Sequence, residues 1–181
     1  NIDENPKEMA DRIAAAGIKV VVTHPNAPED NPALYRLIGG LFGAVSAAED
    51  MSKRFEAAMA GLEAAAANCR QRRVLYLIWK DPWMTISRDT YISRTLALLN
   101  WQTVADNPAT RYPEVDMSAV LAETDLVLLP SEPYEFGQHD LAAFKAEYPD
   151  VEVRLIDGEM TSWYGSRAIE GLHYLKRFVD E

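Results

Sequence analysis

The chain has 181 residues, 28 acidic and 18 basic side chains, and a formal net charge of −10. That length suits one domain or two small lobes, and the acidic balance argues against nucleic acid or an anionic membrane surface as partner. The single cysteine, Cys69, excludes an internal disulfide framework and a multi-cysteine metal site, and no run of about 18 apolar residues is present to span a membrane.

Asn5-Pro6-Lys7-Glu8 predicts an N-cap, a proline at the first helical position and a box carboxylate. That helix runs to about Ala16 and stops at Gly17. Residues 18–23 (IKVVVT) form an apolar β-branched run and predict a buried strand. The loop after it carries His24-Pro25. In open α/β sheets, ligands sit at such strand ends. Asn31-Pro32 opens a second helix that ends between Gly39 and Gly43.

Residues 46–70 predict the longest helix. Ser46 and Glu49 have the S-x-x-E spacing of a capping box. Ala48, Met51, Phe55, Met59, Leu62, Ala66 and Cys69 make one apolar stripe. At about 1.5 Å per residue the helix is roughly 36 Å long, too long for an ordinary crossover, and suits a rod between two lobes.

Residues 74–79 (VLYLIW) predict a second buried strand, followed by a loop, KDPWMTISRD, dense in aromatic and polar groups. A helix over 89–99, a short strand over 102–105, a loop over 107–113 and a short helix over 118–123 follow. Residues 125–130 (DLVLLP) predict a strand, SEPYEFG a loop, 138–147 a helix and 151–156 (VEVRLI) a strand. DGEMTSWYGS is the last loop, and 167–179 a final amphipathic helix. Alternating strands and helices imply an α/β fold with a parallel sheet and flanking helices. The expected domains are a partial N-terminal lobe (1–45), the connecting helix (46–72) and a complete C-terminal α/β lobe (73–181). The chain opens on Asn1, and we expect a fragment or a processed form. No signal peptide is visible, which leaves the compartment open.

The loops after the strands carry Trp79, Trp83, Tyr112, Tyr134, Phe136, Trp163 and Tyr164. In a parallel sheet those bearing Trp79/Trp83, Tyr134/Phe136 and Trp163/Tyr164 leave the same edge. Aromatics there suit a flat or bulky ligand; the alternative is that each plugs the base of its loop. His24, His139 and His173 lack metal-ligand spacing, so no metal site is expected. For catalysis the nearest approach is Ser131 with His139-Asp140, a hydrolase alternative. There is no G-x-S-x-G elbow, G-x-G-x-x-G or Walker loop, and no catalytic residue is assigned. Glu132 and Glu135 read as solvated or docking carboxylates.

The segments ENPKEMADRIAAAGIKVVVTHP, VLYLIWKDPWMTISRDTYIS, YPEVDMSAVLAETDLVLLPSEPYEF and LIDGEMTSWYGSR together resemble the substrate-binding proteins of ABC importers for cobalamin and iron–siderophores. These are the class III periplasmic binding proteins, with a helical backbone between lobes, and the cobalamin-binding type is most similar. The resemblance implies a non-enzymatic protein with no resident cofactor. It captures cobalamin or a related metal chelate between two lobes and delivers it to a membrane permease. A ferric siderophore or haem is the alternative ligand. The location implied is periplasmic or extracytoplasmic, with lipid anchoring as one form.

Carried over by position, Trp79 and Trp83 fall on a cleft-lining loop and Tyr112 against the corrin. Trp163, Tyr164, Ser166 and Arg167 fall on the opposite closing loop, and His24 on the first lobe's cleft-facing loop. Lys80, Arg88, Arg111 and Arg167 could serve an anionic siderophore. The chain departs from the family in two ways. The family's N-terminal lobe begins well before this chain does, so residues 18–23 lose their neighbours, and an open strand edge would invite self-association. The family's permease-docking glutamate falls at Ser118, with Glu114 and Asp116 as its substitutes.

Overall fold

Val74 through Ile78 are all buried, as a strand covered on both faces requires. The computed structural model, which describes residues 5–105 and 109–180, puts this strand, β1 (Arg72–Trp79), at the centre of the sheet. Strand β2 (Met84–Thr85) pairs antiparallel with its C-terminal end, and β3 (Trp101–Thr103) parallel with its first residues. On the other side lies β4 (Leu126–Pro130), and beyond it β5 (Val153–Ile156), both parallel.

The pleat sorts alternate residues of the strands onto opposite faces. Val74, Tyr76, Leu126 and Leu128 meet one set of helices: α3 (Val45–Ala66) through Phe55, Met59 and Leu62, and α8 (Ser166–Asp180) through Leu172 and Leu175. Leu75, Leu77, Val127 and Leu129 meet Met117 of α5 (Met117–Leu121) and Phe144 of α6 (Gln138–Glu147). Each such leucine taken from water contributes about 2 kcal/mol. The remaining helices are α1 (Lys7–Ala15), α2 (Asn31–Phe42), α4 (Tyr91–Ala97) and α7 (Gly158–Ser162).

The α/β class, the parallel sheet and the flanking helices are as the alternation predicts. Five local expectations are corrected. Residues 18–23 are not a strand. Ile18, Val20, Val21 and Val22 are exposed, and an apolar β-branched run does not make a strand without a neighbour to pair with. No capping box forms at Ser46: α3 begins one residue earlier, its N-cap is Ala44, and Glu49 pairs with Arg36 on α2 at 2.8 Å instead. The long helix ends at Ala66 rather than residue 70. The last loop contains a short helix, α7, and the loop after β1 contains β2. The predicted loop at 107–113 falls partly outside the described residues. Among the described residues, no helix is long and apolar enough to cross a membrane.

Candidate ligand-binding site

Parallel β1, β4 and β5 deliver their following segments to one edge of the sheet. A cavity of about 610 Å³ opens there. Its walls come from five places in the chain: Ile78 at the end of β1, Thr90, Tyr91 and Ile92 at the start of α4, Arg111 and Tyr112, Glu132 and Pro133 after β4, and 162–164 after α7. Of the eight residues read from sequence as ligand contacts, the structure brings together Tyr112, Trp163 and Tyr164.

Tyr112 is held by a ribbon of backbone bonds. Thr85 N–H donates to the Pro113 carbonyl at 3.0 Å, Ser87 N–H to Arg111 at 2.8 Å, and Val115 N–H to Trp83 at 3.0 Å. Residues 111–115 thus lie beside 83–87 and present Tyr112, which is exposed. Arg111 sits over the Tyr112 ring at 5.9 Å and donates through Nε to the Asp89 carbonyl at 3.0 Å.

Trp163 is held by Glu132. The indole Nε1–H donates to Glu132 Oε1 at 2.7 Å, and Ser162 Oγ donates to the same oxygen at 2.8 Å. Glu132 is itself seated against α7. A Cβ on Gly158 would lie 2.8 Å from the Glu132 nitrogen and 3.0 Å from its carbonyl oxygen, so only glycine permits this approach. Gly158 N–H also donates to Ser131 Oγ at 2.9 Å. The reading of Glu132 as a solvated or docking carboxylate is therefore corrected: it lines the cavity and fixes an aromatic wall.

Tyr164 packs edge-on against Tyr91, with centroids 5.8 Å apart. The next residue, Gly165, is clamped by the N-terminal part of the chain. Its N–H donates to Asn31 Oδ1 at 2.7 Å, and its carbonyl accepts from Tyr35 Oη at 2.8 Å. Asn31 Nδ2 donates to the Pro28 carbonyl at 2.8 Å and to Tyr91 Oη at 3.0 Å. Burial raises the Tyr91 hydroxyl pKa well above its ordinary value, against the opposing hydrogen bond from Asn31, and pushes Tyr35 up to about 12. Both phenols stay neutral at any physiological pH. Neither Asn31 nor Glu132 was singled out from sequence as a site residue. A lone polar residue in a loop carries no period to mark it; the S-E-P and D-G-E segments that flank β4 and β5 were the available signal.

The other sequence candidates stand elsewhere. Trp79 is exposed and packs edge-on against Tyr134, 5.6 Å between centroids. Trp83 stacks on Phe136 at 6.3 Å and 9° and belongs to the core beneath α6, which is the plug arrangement. Arg167, beside the Trp163 ring at 5.9 Å, pairs with Glu159 at 2.9 Å and Glu170 at 3.2 Å. Ser166 is exposed at the start of α8, and His24 precedes the turn at Pro28–Asp30. None of these five lines the cavity. Of the four basic residues considered for an anionic ligand, Arg111 alone does so, while Lys80 pairs with Asp140 at 3.4 Å.

The hydrolase alternative loses its parts to structure. Ser131 Oγ accepts the Gly158 amide, and Asp140 caps α6 by accepting Gly137 N–H at 3.1 Å.

No family model and no curated protein sequence matches the chain. Solved structures do. The periplasmic vitamin B12 binding protein of Vibrio cholerae superposes with a TM-score of 0.81 at 12% identity, over 97% of this chain and 70% of that one. An ABC transporter substrate-binding protein from Listeria monocytogenes gives 0.78 at 14%, over 94% and 71%. A periplasmic heme-binding protein from Roseiflexus gives 0.76 at 17%, over 96% and 70%. The chain has the fold of the ABC-importer substrate-binding proteins. At such identities the likeness concerns the backbone, and the side chains at the cavity are this chain's own.

Proposed function

We propose that the chain is a binding component of an ABC importer that captures a flat metal chelate, cobalamin first among them, and does no chemistry on it. The observation that carries this reading is the cavity at the sheet edge, walled by Tyr91, Tyr112, Trp163 and Tyr164. Flat rings remove apolar ligand surface from water at roughly 25 cal/mol per Å² with few torsions to freeze. The structural neighbours include binding proteins for vitamin B12 and for heme, which supports this class of ligand. In this reading the protein works outside the cytoplasm. Residues 1–45 belong to one lobe and 73–181 to the other, with α3 as the backbone between them. Haem or a ferric siderophore is the alternative cargo.

Calorimetry of the purified chain with cyanocobalamin tests the proposal. Saturable binding at micromolar or lower concentration is expected. Trp163→Ala and Tyr112→Ala should each weaken it about tenfold or more, with the circular dichroism spectrum unchanged. Absence of saturable binding of cyanocobalamin, haemin and ferric siderophores alike would overturn it.

A further inference from the structure

Among the residues that line the cavity, Glu132 alone carries a carboxylate, beside the rings of Tyr91, Tyr112, Trp163 and Tyr164. One oxygen, Oε1, takes both Ser162 Oγ and Trp163 Nε1. The other, Oε2, has no hydrogen-bond partner among the described residues. Among the described residues that line the cavity, Arg111 alone is basic, and its Nε–H donates to the Asp89 carbonyl. Glu132 is half-buried; once a ligand covers it, a carboxylate with an open acceptor favours a donor and disfavours another anion, because like charges brought together repel and an acceptor cut off from water without a new donor costs free energy.

We propose that Glu132 is a specificity residue: Oε1 sets the Trp163 wall while Oε2 receives an N–H or O–H from the ligand's edge. This selects chelates edged with amides over those edged with carboxylates. The inference rests on the proposed binding function and deepens it by naming the ligand's peripheral chemistry.

The test uses one corrin scaffold, so ring size and metal stay constant. The probes are cyanocobalamin and its b-, d- and e-monocarboxylates, in each of which one peripheral propionamide has become a carboxylate. At pH 7.5 the wild-type chain should bind at least one monocarboxylate about tenfold more weakly than cyanocobalamin. Glu132→Gln keeps an acceptor for the indole and removes the charge, so it should reduce that ratio to within about twofold. Glu132→Ala removes both functions and should weaken every probe. A second readout needs no ligand: the Trp163 indole N–H resonance, assigned with Trp163→Phe. It should hold its position in Glu132→Gln and move upfield in Glu132→Ala.

If all four probes bind equally to the wild type, or if Glu132→Gln leaves the discrimination intact, the selective role is overturned while the binding function stands. If none of the four binds any variant but haemin does, cobalamin falls as the cargo and the amide preference falls with it. An indole resonance unmoved in Glu132→Ala would overturn the positioning role.

Discussion

Asn31 is fully buried and uses its whole amide: two donated bonds, to the Pro28 carbonyl and Tyr91 Oη, and one accepted from Gly165. It ties the residues before α2 to the loop that carries Trp163 and Tyr164. Replacing it by alanine takes from the part-buried Gly165 N–H its acceptor and from Tyr91 a donor. Each orphan costs about 1–3 kcal/mol, so Asn31→Ala should lose about 3 kcal/mol in urea denaturation. The midpoint should fall at an unchanged slope, and ligand affinity should fall with it through the loosened loop. A loss below about 1 kcal/mol would mean that water takes the place of the amide. This is the grade of detail the sequence hides. Tyr112, Trp163 and Tyr164 were legible as wall residues because large aromatics at strand ends have few other uses. Asn31 and Glu132 act through partners 134 and 31 positions away, and no local pattern encodes such distances. The same blindness misplaced Trp83: its type fitted a ligand wall, but Phe136 and Phe144 surround it.

Elements were read well where burial dictates a pattern and poorly where a partner decides. Strands β1, β4 and β5 announce themselves as short apolar runs, and α6 was placed to the residue by its breaks at Gly137 and Pro149. The run at 18–23 is a short apolar run like β1, yet lacks a neighbour to complete its hydrogen bonds. The start of α6 shows what a local signal does supply. Asp140 reaches back to the Gly137 amide and lies 3.4 Å from Lys80. The amide first, and then the ammonium, hold its carboxyl below the usual aspartate range. A depressed folded pKa stabilises above the unfolded value, near 3.9, and that contribution drains as pH falls through the folded value. Asp140→Asn retains an acceptor for the amide and loses the charge. At pH 6.5 it should therefore cost about 0.5–1 kcal/mol, and the gap between its unfolding midpoint and that of the wild type should close as pH falls through the folded value. A gap that persists undiminished at low pH would assign the cost to packing rather than charge.

At the scale of the whole molecule, two surfaces differ in character. The C-terminal half of α2 turns Leu37, Ile38, Leu41 and Phe42 to solvent, with Phe42 80% exposed, on positions that neighbour one another at helical spacing. The segment beside the cavity, by contrast, carries two exposed carboxylates. Glu114 and Asp116 lie on the segment that leads from the Tyr112 wall into α5, and both are exposed. We propose that they meet a permease, where acidic groups raise the rate of encounter with a basic surface more than they raise affinity. Asp116 has a second duty that the test must respect. Its carboxylate caps α5 by accepting the Ser118 N–H at 2.9 Å and the Ser118 hydroxyl at 2.7 Å, so alanine would remove a helix cap as well as a charge. The pair Glu114→Gln and Asp116→Asn removes two charges and keeps the cap. In cells that depend on this chain for uptake of its cargo, the double variant should slow uptake several-fold, and raised ionic strength should slow the wild type in the same direction. Cyanocobalamin affinity and the urea midpoint should not change. Equal loss of uptake and of binding would place the two carboxylates at the ligand instead of at the permease.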